Sequence, residues 1–99
     1  VKRDKTMTKR FIAYDNGGKT TDRYSVFPLD NGKPREAGHC DSGPLHEMLG
    51  MSATPTHPQG VSMYDSGMIG SHLGKRVRFE SLPAHIQTHA IGRCFGGGL

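Results

Sequence analysis

Asn-Gly occurs twice in this 99-residue chain, at 16–17 and 31–32, and each pair lies between short apolar runs. A tight antiparallel hairpin needs backbone at positive φ, which Asn and Gly adopt most readily. An antiparallel sheet is therefore expected. Phe11-Ile12-Ala13-Tyr14 predicts the first strand, Asp15-Asn16-Gly17-Gly18 the turn, and Arg23-Tyr24-Ser25-Val26-Phe27 the second strand, ending near Pro28. Proline has no N–H to give to a ladder, so it belongs at a strand end or edge. The polar run from Lys19 to Asp22 lengthens the first connection. Asp30-Asn31-Gly32 predicts a second turn, and the meander continues into Pro34-Arg35-Glu36-Ala37.

The middle of the chain is less explicit. Residues 38–44 read as loop. Leu45 to Ser52 fits a short helix interrupted by Gly50, or a helical turn followed by a strand, and periodicity does not decide between them. Ala53 to Gly60 carries Pro55 and Pro58, which restrict φ and push Thr54 and His57 toward extended geometry. That segment is expected to be a stiff loop. Residues 61–74 are rich in Gly and Ser, with apolar residues scattered among them.

The C-terminal part carries the clearest pattern. In Lys75-Arg76-Val77-Arg78-Phe79-Glu80, Val77 and Phe79 alternate with charged residues, which predicts a half-buried strand. Ser81 suits an N-cap, with Pro83 in the first turn of a helix from about Leu82 to Ile91 and Gly92 as its stop. Leu82, Ile86 and Ala90 form its apolar stripe. The expected fold is α+β: a small antiparallel β-sheet of about four strands with a C-terminal helix packed on one face. Residues 1–99 form a single domain, with an ordered core at about 9–94 and flexible ends at 1–8 and 95–99. Met7 reads as a natural start.

Composition limits the chemistry. Hydrophobic residues make up only 33% of the chain and Gly and Pro together number 20, from 14 and 6. Short elements joined by turns follow, with little room for a deep, dry active site. The net charge of +4 favours anionic partners only mildly. Two cysteines, Cys40 and Cys94, are too few for a disulfide scaffold, so both thiols are expected to be free. No apolar run approaches transmembrane length, no signal-peptide core follows the charged start, and a cytoplasmic location is expected.

His85 and His89 share a helix face and, with Cys94 or with His39, Cys40 and His46, offer ligands for zinc, although no CxxC is present. His39-Cys40-Asp41 places a thiol beside an imidazole, but a nucleophile also needs an oriented base and an oxyanion hole. Gly17-Gly18-Lys19-Thr20 looks like the end of a phosphate-binding loop. The earlier glycine of that pattern is replaced by Tyr14, and the segment joins strands instead of opening a helix. No catalytic residue, cofactor or metal set is assigned. Lys75, Arg76 and Arg78, with Lys2, Arg3, Lys5, Lys9 and Arg10, form a basic set able to touch phosphates, and Tyr14, Tyr24 and Tyr64 would stack on bases if they faced outward. The stiff loop suits recognition, because less ordering entropy is lost on binding. The residues expected to bind a partner are Thr56, His57, Pro58 and Gln59 of the loop and Lys75, Arg76 and Arg78 of the strand.

Three segments carry a resemblance: Tyr14-Asp15-Asn16-Gly17-Gly18 with Asp22-Arg23-Tyr24 and Val26; Leu49-Gly50-Met51-Ser52 with Pro55 and His57-Pro58-Gln59-Gly60; and His72-Leu73-Gly74-Lys75-Arg76 with Phe79 and Leu82-Pro83. In this order, over most of residues 10–90, they resemble a family of small proteins encoded by bacteriophages and other bacterial mobile elements. Val61-Ser62-Met63 departs from it. The family brings no catalytic residues. The resemblance implies a non-enzymatic accessory protein that binds a host protein in the bacterial cytoplasm, as an inhibitor of a host or defence component. A small basic nucleic-acid-binding protein and a zinc-stabilised domain stay open as alternatives.

Overall fold

The structure, a computed structural model, describes residues 10–96. The expected N-terminal tail, with Lys2, Arg3, Lys5 and Lys9, lies outside the described residues, as do residues 97–99. The strands are β1 (Phe11–Asp15), β2 (Tyr24–Asp30), β3 (Lys33–Pro34), β4 (Glu36–Cys40), β5 (Gly43–Met51), β6 (Ser62–Gly67) and β7 (Lys75–Val77). One helix, α1 (Ala84–Phe95), follows. The α+β class, the antiparallel sheet and the C-terminal helix are as expected, but there are seven strands, not about four. Among the described residues no helix is long and apolar enough to cross a membrane.

The turn residues act as their chemistry requires. Asn31 and Gly32 sit at φ +54 and +79 between the paired Asp30 and Lys33, the geometry of a two-residue hairpin turn. The largest correction is at residues 38–52. Neither loop nor helix forms there. Cys40 pairs with Gly43 to make a hairpin, and β5 runs unbroken to Met51 as the centre of the sheet.

β5 pairs with β6 along one edge, over His46–Met51. Its other edge is shared end to end, by β4 opposite Gly43–His46 and by β2 opposite Leu49–Met51. Pro28 marks the handover. The Leu29 N–H bonds the Arg10 carbonyl in the β1 direction at 2.8 Å, so Pro28, one residue earlier, turns its nitrogen toward β5. With no N–H there, the ladder between β2 and β5 stops at Val26, and the Glu47 N–H goes to the Arg35 carbonyl. Pro28 thus lies within β2, not at its end.

One face of the sheet carries the core. Phe11, Ala13, Tyr24, Val26, Leu49 and Met51 pack against Leu82, Ile86, Ala90 and Cys94. The expected stripe of the helix is buried, and Cys94 continues it by one more turn. α1 therefore runs through Gly92 to Phe95 and stops at Gly96, whose φ of +77 is left-handed. Its start also differs. Phe79 turns inward to stack on Phe11, with ring centroids 4.1 Å apart. Residues 79–81 consequently form a 3-10 turn that cuts the expected 75–80 strand to three residues. Ser81 spends its hydroxyl on the Arg78 carbonyl, and Pro83 takes the N-cap position.

β6 and β7 lie at opposite edges of the sheet. Residues 68–74 must therefore cross a face, and α1 occupies the first one. On the second face Tyr14, Ser25 and Phe27 are buried.

Candidate functional site

The crossing segment ends against the loop after β1, and a cleft of about 620 Å³ opens between them. The loop is fixed by its own side chains. Asp15 Oδ1 accepts from the Gly17 N–H, and both Asp15 oxygens accept from Arg23, at 2.8 and 3.2 Å. The Arg23 guanidinium holds the Asp15 carboxyl below its ordinary range, against the opposing effect of burial. Asn16 Oδ1 accepts from the Gly18 and Lys19 N–H groups, while its Nδ2 donates to Thr20 Oγ1. Thr20 in turn donates to Asp22 Oδ1 at 2.7 Å.

Gly74 joins the second wall to the first. It stands at φ +120, and a Cβ there would lie 2.6 Å from Asn16 Cα and from the Asp15 carbonyl oxygen. Lys19 on one wall and Lys75 on the other line the cleft with Ser71 and His72. No carboxylate pairs with either lysine among the described residues. A shallower hollow of about 410 Å³ lies between the same loop and β6. Met48 and Met63 line it, and Asp22 and Asp65 give it the opposite sign.

Among the described residues β7 ends the sheet and pairs with β1 alone. Lys75, Arg76 and Arg78 are all exposed. Arg76 lies over the Tyr14 ring, 5.9 Å from its centroid, and Arg78 faces Glu80 at 3.5 Å. The opposite edge is partly closed. Arg93 donates to the Ser62 carbonyl at 3.5 Å, and the Ser66 N–H donates to Asp65 Oδ1 at 2.8 Å.

The stiff loop is two consecutive turns. The His57 N–H bonds the Thr54 carbonyl and the Gly60 N–H bonds the His57 carbonyl, which puts Pro55 and Pro58 each at the second turn position. Ser52 closes the base, with its N–H on the Val61 carbonyl and its Oγ accepting from the Val61 N–H, both at 2.9 Å. Thr56, His57, Pro58 and Gln59 are exposed, while Pro55 is buried. The Gln59 N–H donates to His57 Nδ1 at 3.1 Å, which folds the imidazole back on its own turn. The loop follows β5 and β7 lies three strand spacings away, about 14 Å. The seven expected residues thus lie in two groups at the same end of the sheet, since Met51, Tyr24, Asp15 and Lys75 stand in register.

The other groups fall into structural roles. His85 bonds the Ala53 carbonyl at 2.8 Å and His89 bonds Ser62 Oγ at 2.6 Å. These bonds tie α1 to the β5–β6 side. Burial, aided by the Arg93 charge, lowers the His89 pKa. Ser62 and His89 are at nucleophile–base distance, but no group among the described residues orients the second ring nitrogen. Cys40 is exposed and Cys94 buried, both free, and burial pushes the Cys94 thiol up to about 11. Among the described residues no three His, Cys, Asp or Glu side chains come together to hold a metal ion, so the zinc reading loses its ligand set. The tyrosines correct the stacking idea. Tyr14 and Tyr24 are each 4% exposed, and the Tyr64 hydroxyl is engaged by Glu47 and Arg35.

Sequence reasoning missed the cleft. Its only signal was the Gly-Gly-Lys-Thr stretch, set aside for lacking a helix, and nothing local linked it to Ser71, His72 and Gly74. The chain matches no protein-family model, no curated protein and no solved structure.

Proposed function

We propose that the protein is a non-enzymatic accessory protein of the bacteriophage and mobile-element type, which binds an acidic face of a host protein in the bacterial cytoplasm and occludes it. The carrying observation is the open, cationic edge of the sheet at Lys75, Arg76 and Arg78. The resemblance of residues 10–90 supports the biological setting. Charge complementarity of this kind sets partner choice and association rate. The prong from Thr56 to Gln59 is a second contact group, at the same end of the sheet. The protein reading is favoured over the nucleic-acid one because Tyr14 and Tyr24 are buried and Tyr64 packs partly against the core, which leaves little ring surface for a base.

Pull-down from bacterial lysate, split into nuclease-treated and untreated halves, tests this reading. One host protein should be recovered in both halves, and the double variant Lys75→Glu/Arg76→Glu should lose it. Recovery that vanishes with nuclease would transfer the edge to nucleic acid. Retention by the double variant would refute the edge as the contact.

A further inference from the structure

We infer that the cleft between residues 15–20 and 71–75 binds a phosphate group. The inference goes beyond host-protein binding and does not rest on it. Two lysines, Lys19 and Lys75, line the two walls of one concavity, and neither pairs with a carboxylate among the described residues. A doubly charged anion answers both at once. The one carboxylate in the lining, Asp15, is already committed through both oxygens to Arg23. Ser71 and His72 add a hydroxyl and an imidazole, and Ser71 Oγ has no hydrogen-bond partner among the described residues.

The walls are set before any ligand arrives. Asn16 braces one from within, and Gly74 seats the other against it. Such preorganisation reduces the entropy lost on binding. The site differs in kind from a phosphate-binding loop. There the backbone N–H groups face the anion, whereas here those of Gly17, Gly18 and Lys19 are taken by Asp15 and Asn16. Recognition must come from side chains. The volume, about 620 Å³, exceeds that of a phosphate and leaves room for the molecule that carries one.

The test is an amide NMR titration of the whole chain with inorganic phosphate, with a nucleoside 5′-monophosphate, and with sodium chloride at matched ionic strength. Saturable shifts confined to residues 16–20 and 71–75 are expected with phosphate and absent with chloride. Lys19→Ala changes an exposed side chain and should weaken binding roughly tenfold, the loss of one charge-assisted hydrogen bond. Saturation by the nucleotide alone would also support the inference, with the phosphate read as part of a larger molecule. Shifts that match those of chloride, or an affinity unchanged in Lys19→Ala, would overturn it. Lys19 lies outside the β7 row, so Lys19→Ala tests the anion site without touching the capture edge, and Arg76→Glu alone tests the edge without removing a lysine from the cleft.

Discussion

Gly74→Ala tests whether the two walls of the cleft are locked together. Gly74 has φ +120 and ψ −157, a region essentially reserved for glycine, and holding alanine there costs roughly 1–3 kcal/mol. The added Cβ would also meet Asn16 Cα and the Asp15 carbonyl oxygen at 2.6 Å, and Asn16 N at 2.7 Å. These are backbone atoms of a loop pinned by five side chains, those of Asp15, Asn16, Thr20, Asp22 and Arg23, which resist their moving aside. Overpacking of this kind costs roughly 1–3 kcal/mol more. The total of about 2–6 kcal/mol is a large share of the roughly 5–15 kcal/mol that holds a small domain folded. Gly17→Ala is the matched control. It has φ +75, and nothing lies within 4 Å of its Cβ, so only a conformational cost of about 1–2 kcal/mol applies. Urea unfolding followed by circular dichroism reads both as shifts in midpoint. Gly74→Ala should lose at least about twice as much as Gly17→Ala. Equal losses would refute the contact argument and leave the walls independent of each other.

Ile86 is fully buried, so Ile86→Ala should cost about 2–4 kcal/mol in the same assay, and a loss under about half a kilocalorie would be incompatible with a docked helix. His89 is held neutral by burial and by Arg93, with its folded pKa below the ordinary 6.5. Its contribution should therefore be complete above pH 6.5 and fall away as pH drops through that value toward the folded pKa, where the loss ends. His89→Gln should flatten the melting-temperature profile across that window. Asp15, with its pKa lowered by Arg23, acts in a separate window below 3.8, and a profile unaffected by His89→Gln would assign the acid loss elsewhere. Ser52→Ala removes the acceptor of the Val61 N–H, which should cost about 1–2 kcal/mol and speed amide hydrogen exchange at Val61 and Gly60 ahead of the rest of the sheet.

The parts of the fold that could be read from the chain are those set by local chemistry. Asn31-Gly32 requires a particular turn, and Ile86 and Ala90 recur at helical spacing; both appear in the structure as expected, whereas Leu82 is buried but stands in extended backbone before the helix. β5 could not be read this way. Its Leu, Glu and Met residues favour helix, and its last residues, Leu49 to Met51, are buried on both faces, which erases the alternation that marks a strand. Three pairing partners impose the extended form, and none of them is visible locally. The helix start was misread for a related reason, since the stacking of Phe79 on Phe11 joins residues far apart in sequence. The exposure of the seven partner-binding candidates was legible, because charge and proline mark surface. Their division between two groups follows from topology alone.

The route of residues 68–74 across the sheet also has a consequence in time. β1 to β6 form largely by adding neighbouring hairpins, each a short closure, whereas β7 must return to β1 and pair Val77 with Ala13. Closing so long a span carries a greater entropic cost and gains nothing until the strand docks. The last strand and the strap that leads to it are thus placed to assemble late, as a unit. Both Lys75 and the wall built on Gly74 belong to that unit. A partner or anion that engages them together with the loop after β1 holds β7 against β1, and its binding would be felt as slower exchange across that pairing.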